Sequence, residues 1–241
     1  MYNNILLFIG IIFPFLINAL GALFVFFPFG KKGKKHAVAF SAGIMMGASF
    51  WSLLLPASET FANTYGKLSV LIMLSAFLLG GAFICLTDIV FSLKRGEKLN
   101  SSFKLFIAVT AHNFPEGLTV GFALGSLPII SALAVSFGIA VQNFPEGLAV
   151  ALLYKDQPNG NLKGFKMGVL SAIVEPVGSV IGLLLCSMLT VVQPFVLCFS
   201  AGAMIYVCVS ELIPSGCISG KGVFAFNVGF CIMTFLDLVL S

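Results

Sequence analysis

The chain has 241 residues, of which 59% are hydrophobic and only 9% charged, with a formal net charge of +4 and a mean hydropathy of +1.09. Globular domains carry about 45–50% apolar and about 25% charged residues, and a soluble core of this size must still clothe its outside in polar groups. A soluble domain, a disordered chain and a secreted disulfide scaffold are thereby excluded, which leaves a polytopic membrane protein.

A hydrocarbon core takes about 20 helical residues to cross, and eight apolar runs of that order follow one another. The first, 5–27, has no basic lead-in and no small-residue cleavage site, and reads as a retained helix. The second, 36–56, follows the lysine-rich stretch 27–35 and carries Met45; the third, 67–93, has Asp88 near its end. The fourth, 102–125, and the fifth, 128–153, each hold a Pro-Glu pair. The sixth, 164–191, carries Glu175, the seventh, 194–214, Glu211, and the eighth, 222–240, Asp237. Gly- and Pro-bearing punctuation at 94–98, 125–128 and 157–160 agrees with these cuts. The connections are short, so residues 1–241 are expected to form one transmembrane domain. The six cysteines are scattered without a CxxC pair and read as small buried hydrophobes rather than a zinc knuckle or redox site.

Charge gives the orientation. Lys31, Lys32, Lys34 and Lys35 fall in the first connection, and Lys94, Arg95, Lys98 and Lys104 in or beside the third. Lys155, Lys163 and Lys166 flank the fifth, and Lys221 lies in the seventh. With eight spans these twelve of the 13 basic residues face one side, and only Lys67 faces the other. The positive-inside rule makes that side cytoplasmic and both termini extracytoplasmic. Used in this way the lysines leave no case for nucleic-acid binding.

Acidic groups within a span are costly and mark function by default. Glu97 and Asp156 fall in connections, Glu59 at the outer mouth, and His36 reads as an interfacial residue. Glu116, Glu146 and Glu175 lie deep, at levels near the middle of the membrane by a rise of about 1.5 Å per residue. Two of them sit in near copies, His112-Asn113-Phe114-Pro115-Glu116-Gly117 and Gln142-Asn143-Phe144-Pro145-Glu146-Gly147, thirty residues apart. The i, i+4 spacing stacks His112 over Glu116 and Gln142 over Glu146. Each proline frees a carbonyl, at Ala111 and at Val141, that must find a partner within the membrane. Imidazole, carboxylates, amide oxygens and the thioether of Met45, at a similar depth, suit a divalent transition metal better than Na⁺ or Ca²⁺. A second repeat relates Ser41-Ala42-Gly43-Ile44-Met45 to Ser200-Ala201-Gly202-Ala203-Met204 on spans of opposite direction. The fold expected is therefore an all-α membrane protein, an inverted repeat around a central pair of Pro-kinked helices.

The HNFPEG and QNFPEG pair, with Ile173-Val174-Glu175-Pro176-Val177-Gly178 on the next span, resembles the ZIP (Zrt-, Irt-like protein) family of divalent metal transporters. The stretches Ala42 to Trp51 and Ala201 to Val207 are similar to its prokaryotic and GufA-like branches. The resemblance implies a multi-pass cell-membrane protein that moves zinc, and related ions such as iron, manganese and cadmium, toward the cytoplasm. It implies a binuclear site: His112, Glu116, Gln142 and Glu146 with Met45 nearby, beside Asn113, Asn143 and Glu175, the two central glutamates shared. Many members have His where Gln142 stands, so affinity and metal preference are expected to differ here. A histidine-rich cytoplasmic loop is absent from 93–100.

The metal is cargo rather than cofactor, its binding is expected to displace a proton, and Glu211 is a candidate for the exit path. The expected partners are divalent metal ions and membrane lipids, with a homodimer as an option. An intramembrane metalloprotease would need an HExxH-like motif that the sequence lacks, so no enzyme is expected. The alternative is a membrane metal sensor that binds without transporting.

Overall fold

The computed structural model describes residues 2–65, 68–95 and 100–240, and no strand occurs among them. The helices are α1 (Tyr2–Leu23), α2 (Lys31–Ala48), α3 (Leu55–Tyr65), α4 (Ser69–Arg95), α5 (Ser101–Ser126), α6 (Ile129–Tyr154), α7 (Gly160–Ala172), α8 (Val174–Leu184), α9 (Cys186–Val207), α10 (Ile213–Gly216) and α11 (Gly220–Leu240). Wider π-type turns at Ser49–Leu54 and Cys208–Leu212 join α2 to α3 and α9 to α10, and Ile173 alone separates α7 from α8. Eight rods result. Seven are long and apolar enough to cross a membrane by themselves. The eighth, α5, has the length at 26 residues, but His112, Asn113, Pro115 and Glu116 dilute its apolar character.

Two boundaries differ from the sequence reading. The sixth rod stops at Leu184 and the seventh begins at Cys186, so Pro194 lies inside α9 instead of opening it. Leu185 carries the break, with φ −108° and ψ 16°, and the apolar sequence on both sides hides it from a hydropathy reading. The lysines at 31–35 open α2 rather than filling a loop, as Lys104 does in α5 and Lys163 in α7. Lys67, Glu97 and Lys98 lie outside the described residues, as do the side chains of Asp88, Lys94 and Arg95. Of the cysteines only Cys198 and Cys208 are buried, and Cys231 is exposed.

Small residues set the packing. α1 runs along α6 and α8 along α5, while α11 runs along α2 and α4 along α9. At each crossing a glycine faces backbone: Gly147 the carbonyl of Asn18, Gly117 that of Glu175, Gly43 that of Phe226, and Gly202 that of Phe77. Without a hydrophobic force between helices in lipid, such close backbone approach supplies the association. The pattern is an inverted repeat, α1 to α4 answering α7 to α11 about the central pair α5 and α6. The two Ser-Ala-Gly stretches belong to it, for in each the π-type turn begins eight residues after the serine. The wider turns come just before Pro56 and Pro214, each of which lacks an N–H for the preceding turn. Large apolar side chains such as Leu71, Leu78, Phe224 and Phe235 face outward, while His112, Asn113, Glu116, Asn143, Glu146 and Glu175 are buried. The chain is a multi-pass membrane protein.

The described lysines gather at one end. Lys34 pairs with Asp156, joining the start of α2 to the end of α6. Lys155 donates to the carbonyls of Val25 and Phe27 and to Asn161 Oδ1, and lies 5.9 Å over the ring of Phe29. It thereby ties the segment that follows α1 to the end of α6. Lys155→Ala should lower stability by about 1.5–3 kcal/mol, the usual worth of charge-assisted bonds, read as a fall in the melting temperature of purified protein.

Candidate metal centre

The centre grows from α5 and α6, which run unbroken through Pro115 and Pro145. Helical spacing sets His112 over Glu116, Nε2 lying 2.9 Å from Oε1, and the same Nε2 reaches Glu146 Oε1 on α6 at 3.3 Å. Gln142 Nε2 donates to Glu116 Oε1, so each helix contributes to the other's carboxylate. One donor atom each from His112, Glu116 and Glu146 lie within 4.8 Å of one another, and all three residues are buried. Ligands held at about 2.0–2.2 Å from one ion stand at most about 4.4 Å apart, so the cluster needs little closing to hold a zinc-sized cation.

Glu175 reaches the centre from the first turn of α8. Pro176 has no N–H to give to a preceding carbonyl, which favours ending α7 and starting a new helix there. That new N-terminus places unpaired N–H groups and the positive end of the helix dipole near the carboxylate. Asn143 Nδ2 lies 2.8 Å from both Glu175 oxygens, and Asn113 Nδ2 donates to Ser171 O at 3.1 Å. The described residues offer no hydrogen-bond partner to Glu146 Oε1 and Oε2, Glu116 Oε2, His112 Nδ1, or the amide oxygens of Asn113 and Asn143. Buried polar atoms are normally satisfied; this many free lone pairs in one place is what a cation-binding cluster requires.

Two further residues singled out in the sequence are Met45 and Glu211. Met45 is fully buried in the apolar cluster that also contains Leu148, Met204 and Cys208, and takes no part in the polar contacts of the centre. Glu211 sits in the second π-type turn, nearly buried, with Lys104 Nζ 3.5 Å from its Oε1. Lys104 is two turns before His112 on the same stripe of α5, so Glu211 stands on the lysine-rich side of the centre.

On the opposite side lies a cavity of about 500 Å³, lined among others by Trp51, Ser52, Thr119, Ser131, Gly138 and Asp237. Ser52 Oγ donates to Asp237 Oδ1 at 2.7 Å and lies 3.5 Å from Gln142 Oε1, which ties the cavity floor to the cluster. The sequence reading left Ser52 out and placed Asp237 only as an acid near the end of its helix. The outer signal was faint, because a serine in a span ordinarily bonds its own helix. Ser52 also falls in the first π-type turn, at the place that Glu211 holds in the second.

A family model described as ZIP zinc transporter matches residues 95–237. The zinc transporter GufA of Myxococcus xanthus is 32% identical, over 88% of this chain and 89% of its own length. The zinc transporter ZIP11 of Homo sapiens is 28% identical over 97% and 96%, and the zinc transporter ZIPB of Bordetella bronchiseptica 30% identical over 94% and 79%.

Proposed function

This chain belongs to the ZIP zinc transporter family, and from that premise we propose that it carries divalent transition-metal cations, zinc foremost, across the cell membrane. The observation that supports this most is the buried cluster of His112, Glu116 and Glu146, drawn from two helices, with lone pairs that no protein donor uses. We read it as one metal position, with Gln142 as a weaker amide ligand and Met45 at its border. Asn113, Asn143 and Glu175 would make the second, sharing the two central glutamates. Iron, manganese and cadmium fit the same mixed nitrogen and oxygen donor set.

The route runs from the cavity that holds Ser52 and Asp237, past Gln142, to the cluster, and leaves by Glu211 toward the lysine-rich side. The lysines make that side cytoplasmic and leave both termini outside. The metal is substrate and not cofactor, and the protein acts as a transporter and not an enzyme.

Protein in liposomes loaded with a metal-sensitive dye tests the reading. Saturable zinc influx is expected. Stoichiometric zinc binding without flux would overturn transport and favour the sensor. Ligands must be deprotonated to bind, so protons compete with the metal. Binding measured on purified protein should weaken as pH falls from about 7 to about 5.5 and recover on return to neutrality.

A further inference from the structure

The inverted repeat makes Asn18 the counterpart of Glu175. Gly117, after the first central glutamate, faces the backbone carbonyl of Glu175; Gly147, after the second, faces that of Asn18. Three residues on, the match continues. Gly178 faces the carbonyl of Phe114 and Gly21 that of Phe144, the same position in the two copies of the central motif. Asn18 therefore stands to α6 as Glu175 stands to α5.

Asn18 is fully buried, and neither its Nδ2 nor its Oδ1 has a hydrogen-bond partner among the described residues. Its Oδ1 lies against Gly147, next in sequence to Glu146. Glu175 crosses to the asparagine of the other central helix, Asn143. The corresponding asparagine for Asn18 is Asn113, whose Oδ1 also lacks a partner. A lone amide in the apolar run of α1 gains nothing for packing, since an unpartnered buried amide opposes folding. Its cost is offset only when something polar enters beside it.

We infer that Asn18 is a further pole of the metal chamber, an amide oxygen that α1 supplies to the hydrated cation on the side away from Glu175. The inference rests on the metal-binding reading above. It makes the chamber lopsided in charge, with a carboxylate at one pole and a neutral amide at the other. A neutral pole holds the ion less tightly, which favours its onward movement.

Asn18→Leu and Asn18→Asp test it in purified full-length protein, by metal-free melting temperature and by zinc affinity from chelator competition. Asn18→Leu removes an unsatisfied amide at similar volume, so the metal-free protein should melt at a higher temperature while zinc affinity falls about three- to tenfold. A purely structural asparagine would not move the two readouts in opposite directions. Asn18→Asp restores the symmetry in charge and should tighten zinc binding about tenfold. Zinc affinity unchanged in a folded Asn18→Leu protein would overturn the inference. If that variant does not fold, unchanged or weaker affinity in Asn18→Asp overturns it instead. Absence of zinc binding in the unaltered protein would defeat the metal-binding reading itself, a result separate from either.

Discussion

Glu146→Ala should reduce zinc uptake into liposomes by about 100-fold or more, and Glu116→Ala should do the same, because each removes a charged donor from the same cluster. Even changes outside the ligand shell cost about 10–100-fold in metal affinity. Here the loss is greater: Glu146 offers two oxygens that no described donor uses, one of them 3.3 Å from His112 Nε2, and Glu116 accepts from Gln142 beside His112. Losing Glu116 also leaves the buried Gln142 Nε2 without its acceptor. Glu→Gln at the same positions separates charge from shape, since the amide keeps the volume and one oxygen. Uptake by both alanine variants at the unaltered rate, in protein shown to be inserted and folded, would remove the cluster from the transport path.

The second large effect belongs to a residue with no side chain. A Cβ at Gly117 would overlap the carbonyl of Glu175, so Gly117→Ala must push α8 away from α5. The obstacle is backbone, which cannot turn aside as a flexible side chain would. Overpacking of this kind costs about 1–3 kcal/mol or more, and the displaced element carries Glu175. Gly117→Ala should therefore melt earlier and also lose the contribution of Glu175 to metal binding. Gly138→Ala is the control, because a Cβ there meets nothing. Equal melting temperatures and equal zinc affinity in the two variants would show that α8 can shift without consequence.

The carboxylates of the centre were legible in the sequence for a simple reason. Charge within an apolar run is conspicuous, and helical spacing puts His112 and Glu116 on one face whatever the tertiary arrangement. Asn18 and Ser52 were not legible in this way. A single neutral polar residue in a span carries no such mark, and only its neighbours in space give it a meaning. Lys104 was read as an orientation signal, and its partner Glu211 was a candidate on its own; their pairing links the start of α5 to the end of the seventh rod. Met45 was placed near the centre by depth. Its side chain is buried in the apolar cluster that also holds Met204 and Cys208.

By itself the sequence determined the membrane setting, the eight rods, the segregation of lysines and the doubled motif, because these follow from the cost of placing polar groups in hydrocarbon. It also showed that two segments resemble each other in opposite directions. Only the tertiary structure decided which helices pair, because pairing depends on where glycine lets one backbone touch another. The crossing at Gly117 brings Glu175 to the centre, and the matching crossing at Gly147 brings Asn18. The 9% of residues that carry charge marked the chain as a membrane protein; the residues with no side chain gathered three of those charges around one point.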